Sequence, residues 1–339
     1  MLNKPLQART WRFHRTGDAD VLELENLPLA QPAGNDVLVQ MKTIGLNRAD
    51  AMFRRGTYIE KAEFPSRLGY EGAGVVISAG KDVRQFSPGD HVSILPSSSL
   101  ARFGTYADQL IVPESLLVAK PASLSWEQSA SIWMQYLTAY GGIIHAAGLK
   151  KGETLLVTAA SSSVGLAAIQ IAQSAGARVI ASTLTVAKKQ HLSALGVEDV
   201  IASEEEPDLY QAIVSRLGGE HLNAAFDAVG GPQVEQIASA LAVKGRLVIH
   251  GALSPEATPF PLKLALRKSL TMSGFLFLEV LHDPVIRKRA KRFILSGIEA
   301  GYLKPQLDKI FSFEQMPDAH RYLESNRQIG KIIVRVATP

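Results

Sequence analysis

The stretch TLLVTAASSSVGLAAIQIAQSAG, from Thr154 to Gly176, decides the fold of this chain of 339 residues. Thr154–Ala159 has the composition of a buried strand, a turn of small residues follows, and Val164–Ala175 has the periodicity of a helix. A helix that begins directly after a strand presents its first N–H groups and a partial positive charge at one point. The pattern therefore predicts a phosphate-binding turn, and its many polar residues argue against a membrane span.

The turn departs from the dinucleotide fingerprint G-x-G-x-x-G, which would place glycines at positions 160, 162 and 165. The chain has Ala160, Ser162 and Gly165 there, so only the third glycine, which allows close packing of the helix, is retained. Small residues still let a phosphate approach the backbone, and three serines add hydroxyl donors. An α/β turn with no ligand is the alternative. The predicted cofactor-binding residues here are Ser161, Ser162, Ser163, Val164 and Gly165.

The end of the second predicted strand indicates which dinucleotide is bound. An acidic residue that binds the ribose of NAD is expected there, about twenty residues after the turn. The chain instead has Ser182 and Thr183, followed by Thr185, Lys188 and Lys189. Hydroxyl groups and an ammonium suit a 2′-phosphate, so the sequence predicts NADPH as the cofactor. The alternative is that the two lysines form an ordinary solvated first turn of a helix.

The sequence pattern of the chain changes near residue 125. Before it, short apolar runs alternate with Gly, Pro and Asp, which predicts a β-rich domain. A helix over Ser125–His145 is predicted next, with Ser125 as N-cap and Gln128 as its capping-box partner. Strands and helices then alternate, which predicts a parallel, doubly wound sheet. Its predicted strands are Thr154–Ala159, Arg178–Thr183, Asp199–Ala202, Ala224–Val229, Arg246–His250 and Ser269–Phe277.

The absence of cysteine excludes disulfide scaffolds, cysteine-ligated zinc, iron–sulfur clusters and cysteine nucleophiles. A disulfide-free chain fits the cytoplasm, and we expect neither a membrane nor a nucleic-acid partner. The net charge of +4 is too small to indicate a nucleic-acid binder. A basic helix, capped by Asp283 and beginning at Pro284, is interpreted as solvated surface, with RNA association as the alternative.

Four segments resemble signatures of the medium-chain dehydrogenase/reductase superfamily. They are Gly69–Val92 (GYEGAGVVISAGKDVRQFSPGDHV), Gly104–Pro113 (GTYADQLIVP), Trp133–Tyr140 (WMQYLTAY) and the final IGKIIVRV. The resemblance implies an α/β fold in which a Rossmann doubly wound parallel sheet is inserted in a co-chaperonin-like β-barrel domain. It places the catalytic β-rich domain at 1–130 plus 273–339 and the Rossmann domain at 131–272. It also implies a homodimer, formed by pairing of edge strands near Ser269–Phe277.

The departures from this family pattern concern zinc. Zinc-dependent members carry a Cys where this chain has Asn47 and a His where it has Tyr70, and the four structural cysteines are also missing. We therefore predict no metal. The segment GLNRADAMFRRGTY, from Gly45 to Tyr58, resembles the zeta-crystallin-like quinone oxidoreductase branch. A quinone or activated alkene spreads the incoming charge over its own conjugated system, so a metal-free site favours conjugated carbonyl substrates.

The same resemblance implies the remaining site residues. Asn47 is expected near the nicotinamide and the substrate, although it could simply form the turn before a helix over Ala49–Arg54. Tyr58 lies where mitochondrial enoyl-thioester reductases carry a proton-donating Tyr, or it is an aromatic lid residue. Arg54 is a charge partner for substrate if it points inward. The other predicted cofactor-binding residues are Thr138, Val229, His250, Gly251, Leu253, Phe275 and Leu276.

Three functions are therefore considered. The first is an NADPH-dependent, zinc-independent oxidoreductase that transfers hydride to a quinone or another conjugated carbonyl acceptor. The second is an enoyl-thioester or alkenal reductase with Tyr58 as proton donor. The third is an NADPH-binding structural or RNA-associated protein without turnover.

Overall fold

The computed structural model describes residues 6–337, which form two compact units. The first unit comprises the chain up to Met134 together with the part from Pro305, and the second comprises Gln135–Lys304. The second unit is therefore inserted in the first. It extends beyond the predicted boundary at residue 272, because the strand there pairs within the second unit's sheet and two helices of that unit follow it.

Within residues 6–337 the chain forms sixteen strands and twelve α-helices. The strands are β1 Gln7–Phe13, β2 Glu23–Pro28, β3 Asp36–Gly45, β4 Ser66–Arg67, β5 Glu71–Ala79, β6 His91–Ile94, β7 Gln109–Pro113, β8 Leu117–Ala119, β9 Thr154–Val157, β10 Arg178–Thr183, β11 Asp199–Ala202, β12 Leu222–Asp227, β13 Leu241–Ile249, β14 Thr271–Gly274, β15 Leu307–Ser312 and β16 Lys331–Arg335. The helices are α1 Arg48–Arg55, α2 Leu100–Phe103, α3 Trp126–Ser129, α4 Trp133–Tyr140, α5 Ser163–Ser174, α6 Val186–Ala194, α7 Leu209–Leu217, α8 Gln233–Ala240, α9 Leu262–Lys268, α10 Phe277–His282, α11 Pro284–Glu299 and α12 Met316–Glu324.

The second unit contains a six-stranded sheet in the order β11-β10-β9-β12-β13-β14, with every neighbouring pair parallel. This is the strand order of a doubly wound dinucleotide-binding fold, and it confirms the predicted fold class. The order reverses at β9, and ligands of such sheets bind beyond the carboxyl ends of the strands at that reversal. Buried aliphatic side chains such as Leu156, Ile213 and Ile237 form the core that joins the sheet to α7 and α8.

The first unit is β-rich, as predicted. A larger sheet has the order β15-β16-β3-β5-β6-β8, with β7 also pairing with β3. A smaller sheet has the order β2-β1-β4. The last strand, β16, is antiparallel to β3, with Ile333 opposite Gly45. This pairing completes the first unit with residues from the end of the chain and brings Lys331 close to the residues that follow β3.

Two predicted elements differ from the structure. The single helix predicted over Ser125–His145 is divided into α3, α4 and a π-helical segment Gly141–Ala146, although Ser125 caps α3 with Gln128 as its partner, as predicted. The strand predicted over Ser269–Phe277 is only β14, at the edge of its sheet, because the chain enters α10 at Phe277. The homodimer predicted through this segment stays a prediction.

The basic helix begins as predicted. The Asp283 carboxylate accepts hydrogen bonds from the backbone N–H groups of Val285, at 2.8 Å, and Ile286, at 3.0 Å, and Pro284 occupies the first turn. Among the described helices, none has both the length and the apolar character needed to span a bilayer.

Candidate functional site

Asn47 is the N-cap of α1, which begins at Arg48, so the predicted catalytic residue also lies in the turn before the helix that was predicted over Ala49–Arg54. Its backbone N–H donates to Asp50 Oδ2 at 2.8 Å. The Asn47 side chain, however, is turned toward the end of the chain. Its Oδ1 atom accepts a hydrogen bond from Lys331 Nζ at 2.5 Å, across 284 residues of sequence. The amide is therefore available for more than helix capping.

Lys331 and Glu71 form a fully buried ion pair beside Asn47. The other Glu71 oxygen, Oε2, accepts from the backbone N–H groups of Trp133, at 3.1 Å, and Met134, at 3.0 Å. These N–H groups belong to the first two residues of α4. The N-terminus of a helix carries partial positive charge, which stabilises a carboxylate. A buried charge is tolerated only when it is paired and hydrogen-bonded. Here both conditions are met, so the ammonium is held firmly behind the Asn47 amide.

The contact with Lys331 fixes the orientation of the Asn47 amide. An ammonium has three donors and no acceptor, so the amide oxygen must face it and the NH₂ group must face away. One N–H of that group is directed at the Gly45 carbonyl oxygen, with Nδ2 and oxygen 3.3 Å apart. Gly45 is required here, because a Cβ atom would lie 2.0 Å from the Ala130 carbonyl oxygen. Asn47 is thus held as a hydrogen-bond donor beside a buried cation.

A second buried network surrounds Asp50. Tyr106 Oη donates to Asp50 Oδ2 at 3.0 Å, and His320 Nε2 lies 3.0 Å from the same hydroxyl. Since the Tyr106 proton points to Asp50, the imidazole must carry its proton on Nε2 and donate it to Tyr106. Burial lowers the pKa of His320 to about 3 and raises the pKa of Asp50 from 3.8 to about 7, although hydrogen bonds from Asn47 and Tyr106 oppose the latter. This network, which sequence reasoning missed, fixes the first turn of α1.

We expect the Asp50→Asn substitution to make the protein more stable at pH 8 but not at pH 4.5. The folded carboxyl keeps its proton up to about pH 7, whereas the unfolded one releases it near pH 4, so its contribution to stability falls as pH rises through this window. A neutral Asn with its oxygen in the place of Oδ2 keeps both hydrogen bonds. The expected gain at pH 8 is about 3 kcal/mol, measured by urea unfolding at pH 4.5, 6 and 8. A difference that is constant with pH would contradict the assignment.

Arg54 points inward, as the substrate-partner prediction required, but its guanidinium is paired. It is fully buried, and its Nη2 atom lies 2.6 Å from Glu324 Oε1 on α12. Glu324 also pairs with Arg55 at 2.6 Å. The ion pair joins α1 to α12 within the first unit. The geometry favours a structural role for Arg54, and its role toward substrate stays a prediction.

Tyr58 follows α1 and contacts Tyr70, the residue directly before β5. The two rings meet edge to face, with centroids 6.3 Å apart, and their side chains share a hydrogen bond. Tyr58 is half-buried, whereas Tyr70 is 3% exposed. Burial raises the pKa of both phenols, and the negative charges of Asp50 and Glu60 raise them further. Both phenols are therefore neutral at physiological pH, and proton donors.

A metal is disfavoured at Asn47 on electrostatic grounds, because the Lys331 ammonium already contacts the amide oxygen. Among residues 6–337, metal-ligating atoms of at least three His, Asp or Glu side chains converge at His14, Glu23 and Glu25. That group lies on the exposed hairpin of β1 and β2, and Arg12 pairs with Glu25 there. It is separate from the residues predicted to act in catalysis.

In the second unit, the serine turn joins β9 to α5 at the point where the strand order reverses. Ser162 is the N-cap of α5, and its Oγ atom accepts from the Gly165 N–H at 3.0 Å. Ser161 is buried and accepts a hydrogen bond from Thr183 at 3.2 Å. The first N–H groups of α5, at Ser163 and Val164, have no partner within the helix. Hydroxyl and amide donors thus converge at this turn, and a pyrophosphate fits it.

Gly165 is the fingerprint glycine that the sequence retains, and the geometry explains why. A Cβ atom at this position would lie 2.6 Å from both the Ala159 carbonyl oxygen and the Ala160 Cα atom. These are backbone atoms, which cannot move without moving the turn. Ala159 itself has a positive φ of 44°, which non-glycine residues rarely adopt and which occurs mainly in tight turns and functional sites. The turn is therefore held in one shape by close contact with α5.

The predicted 2′-phosphate residues lie at the end of β10 and the start of α6. Ser182 and Thr183 are buried, and Thr185 is the N-cap of α6, its Oγ1 atom accepting from the Lys188 N–H at 3.4 Å. The two lysines differ from each other. Lys188 is 9% exposed, whereas Lys189 pairs with Glu205 on the surface. The structure thus separates them: Lys189 is a solvated residue and Lys188 is not.

Asp227, which sequence reasoning missed, organises the turn after β12. Its carboxylate is fully buried and accepts from the Thr158 hydroxyl at 2.5 Å and from the backbone N–H groups of Val229, at 3.1 Å, and Gly230, at 2.8 Å. The signal that could have identified it is an acidic residue at the carboxyl end of a mostly apolar strand. The predicted Val229 therefore lies in a turn that Asp227, at the end of β12, fixes by hydrogen bonds and links to Thr158, which follows β9.

The remaining predicted cofactor residues follow β13 and β14 or lie on α4. His250 stacks on Phe226 with centroids 3.9 Å apart, and burial lowers its pKa to about 3. Gly251 and Leu253 follow it, and Leu253 is exposed. Phe275 is buried against Gly141, so its ring belongs to the core and only its backbone is available. Leu276 is the N-cap of α10, and Thr138 is buried on α4.

Two family models match the chain. The model described as the alcohol dehydrogenase GroES-like domain matches residues 33–122, and that described as the zinc-binding dehydrogenase matches residues 163–291. Among curated proteins, the chain is 29% identical over 307 residues to quinone oxidoreductase-like protein 2 of Rattus norvegicus, which covers 90% of this chain and 86% of that protein.

Solved structures match almost the whole chain. An NAD-dependent alcohol dehydrogenase is 31% identical, with a TM-score of 0.87, over 97% of this chain and 100% of its own. A quinone oxidoreductase of Escherichia coli complexed with NADPH is 29% identical, with a TM-score of 0.88, over 97% and 99%. The CurK enoyl reductase is 25% identical, with a TM-score of 0.87, over 98% and 100%.

Proposed function

Because the chain belongs to the medium-chain dehydrogenase/reductase superfamily, in its quinone oxidoreductase-like branch, we propose that it is an NADPH-dependent, zinc-independent oxidoreductase that reduces a quinone or another conjugated carbonyl compound. The observation that carries this proposal is the fixed orientation of the Asn47 amide. Lys331 contacts the amide oxygen, so Asn47 presents N–H donors.

Asn47 would act on the carbonyl oxygen of the acceptor. A bound nicotinamide supplies the hydride, and negative charge then develops on that oxygen and spreads over the conjugated system. An N–H donor in a fixed position, with a buried ammonium behind it, stabilises this charge without reorganising. A plain ketone localises the same charge on one oxygen, where a Lewis acid gives more stabilisation. The residues at Asn47 and Tyr70 therefore favour conjugated acceptors.

The preference for NADPH rests on the residues at the end of β10 and the start of α6. Ser182, Thr183 and Thr185 supply hydroxyls, Lys188 supplies an ammonium, and β10 ends without an acidic residue. The complex of the Escherichia coli quinone oxidoreductase with NADPH supports the choice. The NAD-dependent alcohol dehydrogenase, at 31% identity, is the competing precedent. An assay with both cofactors must therefore decide.

The test is a panel of quinones, enals, enones and enoyl thioesters, followed at the nicotinamide absorbance with NADPH and with NADH. We expect NADPH to be preferred for quinones and enones, with no loss of rate in a chelator. Lys188→Ala should raise the KM for NADPH about tenfold or more and leave that for NADH unchanged, as loss of a charged hydrogen bond predicts. Lys189→Ala is the matched control, since Lys189 pairs with Glu205. Equal use of both cofactors, with no effect of Lys188→Ala, would refute the NADPH assignment.

The second candidate is reduction of an enoyl thioester or alkenal, with Tyr58 as proton donor. The neutral Tyr58–Tyr70 pair favours it, and so does the similarity to the CurK enoyl reductase. Turnover of enoyl thioesters or enals but not of quinones in the same panel would make it the primary function. NADPH binding without turnover of any acceptor would instead favour the third candidate, a cofactor-binding protein without redox activity.

A further inference from the structure

The steps proposed above assign no task to the Tyr70 hydroxyl, although this residue occupies a position of chemical interest. It stands where zinc-dependent relatives carry a histidine, and its side chain is hydrogen-bonded to Tyr58 rather than being packed as an inert ring. The rings meet edge to face at an interplanar angle of 68°, with centroids 6.3 Å apart. The pair therefore joins a half-buried phenol to a nearly fully buried one.

The difference in burial decides which phenol can ionise. Removing a proton from the more buried phenol places negative charge in the environment with less solvent, so Tyr70 holds its proton more tightly. Tyr70 is 3% exposed, and its pKa is raised further than that of Tyr58. When one member of the pair gives up a proton, that member is Tyr58, and the Tyr70 hydroxyl then donates a hydrogen bond to the Tyr58 phenolate. A hydrogen bond to a charged oxygen is stronger than one between neutral groups.

We propose that Tyr70 is a positioning residue that holds Tyr58 and stabilises its phenolate, so that Tyr58 can protonate an α,β-unsaturated carbonyl substrate during its reduction. The inference rests on the proposed oxidoreductase function and names one substrate class within it.

The step balances without a further reagent. A bound nicotinamide would supply hydride for the β-carbon, the C=C π electrons would move to form an enolate, and the Asn47 amide would donate a hydrogen bond to the enolate oxygen. Tyr58 then gives its hydroxyl proton to the α-carbon, which forms the new C–H bond and leaves a phenolate bonded to Tyr70. Water reprotonates Tyr58 after product release. A quinone accepts hydride and takes its proton on oxygen, where solvent can supply it, so it depends less on this pair.

The experiment compares Tyr70→Phe, Tyr58→Phe and the double variant with an enone and a quinone as acceptors. We expect Tyr70→Phe to lower kcat for the enone by about 10- to 100-fold, in line with loss of a hydrogen bond to a charged group. The KM for NADPH and quinone turnover should change by less than about threefold. The solvent isotope effect on kcat should increase, because proton transfer becomes slower relative to hydride transfer. In the Tyr58→Phe background, the second substitution should have no further effect.

Tyr322→Phe is the matched control. Tyr322 is a half-buried phenol on α12 in the same unit, and its ring contacts Phe311 on β15. Thermal unfolding shows whether each variant is folded. If Tyr70→Phe and Tyr322→Phe have the same enone kcat and isotope effect as the wild type, or if the two tyrosines act additively, the positioning role is overturned. If the wild type itself oxidises NADPH with neither acceptor, the proposed function fails instead, and the two failures are distinguishable.

Discussion

Lys331→Met is expected to lower the free energy of unfolding by about 3–5 kcal/mol, the usual result of removing one partner of a buried ion pair. Methionine keeps most of the length of the side chain but not its charge. The Glu71 carboxylate would remain buried with its two backbone donors and no cation. The measurement is urea unfolding followed by circular dichroism and fluorescence at neutral pH.

Two variants make this result specific. Lys189→Met makes the same change in the exposed pair with Glu205 and should cost less than about 1 kcal/mol. Adding Glu71→Gln to Lys331→Met should recover part of the loss, since no unpaired charge is left. A loss as small as that of Lys189→Met would show that the pair is not buried in solution.

Folded Lys331→Met protein should also turn over conjugated carbonyls more slowly by about tenfold or more, because the Asn47 amide is free to rotate.

Gly165→Ala is expected to weaken NADPH binding by about 100-fold or more, equivalent to about 2.8 kcal/mol. The new Cβ atom would lie 2.6 Å from backbone atoms of Ala159 and Ala160. The helix and the turn must therefore separate, which moves the N–H groups of α5 away from the pyrophosphate. Binding is measured directly, by fluorescence of the reduced nicotinamide or by calorimetry, so that the result does not depend on an acceptor.

The control for Gly165→Ala is the same substitution at Gly274, where a Cβ atom would meet nothing within 4 Å. We expect Gly274→Ala to leave the free energy of unfolding unchanged within about 0.5 kcal/mol, whereas overpacking at Gly165 should lower it by about 1–3 kcal/mol. Unaltered NADPH affinity in Gly165→Ala would mean that the turn after β9 is not the pyrophosphate site.

Local patterns were sufficient to predict the second unit. Its strands, helices and turns follow one another over short stretches, and a strand–turn–helix such as Thr154–Gly176 carries its own periodicity and capping residues. The errors there are boundaries set by tertiary packing. The strand predicted over Ser269–Phe277 is an example: its apolar composition is also that of a short buried helix, and α10 begins at Phe277.

The polar network of the first unit could not be predicted in the same way. Asn47 was identified from a resemblance, but its partners lie far along the chain, and local periodicity carries no information about contacts between distant segments. A weak signal was present, since Glu71 and Lys331 carry opposite charges and each is followed directly by small or apolar residues of its strand. Such residues are buried only when paired, so each indicates that a partner exists without identifying it.

The insertion of one unit in the other also orders events during synthesis. The contiguous second unit can fold as soon as it leaves the ribosome, whereas Asn47 and Glu71 must wait for Lys331, about 260 residues after Glu71. At about 5–20 residues per second, that interval is roughly 10–50 s. During it, Glu71 has no cation and the Asn47 amide has no fixed orientation. The second unit of a nascent chain can thus fold well before Lys331 is available to orient the Asn47 amide. Catalytic activity is therefore expected only after synthesis of Lys331.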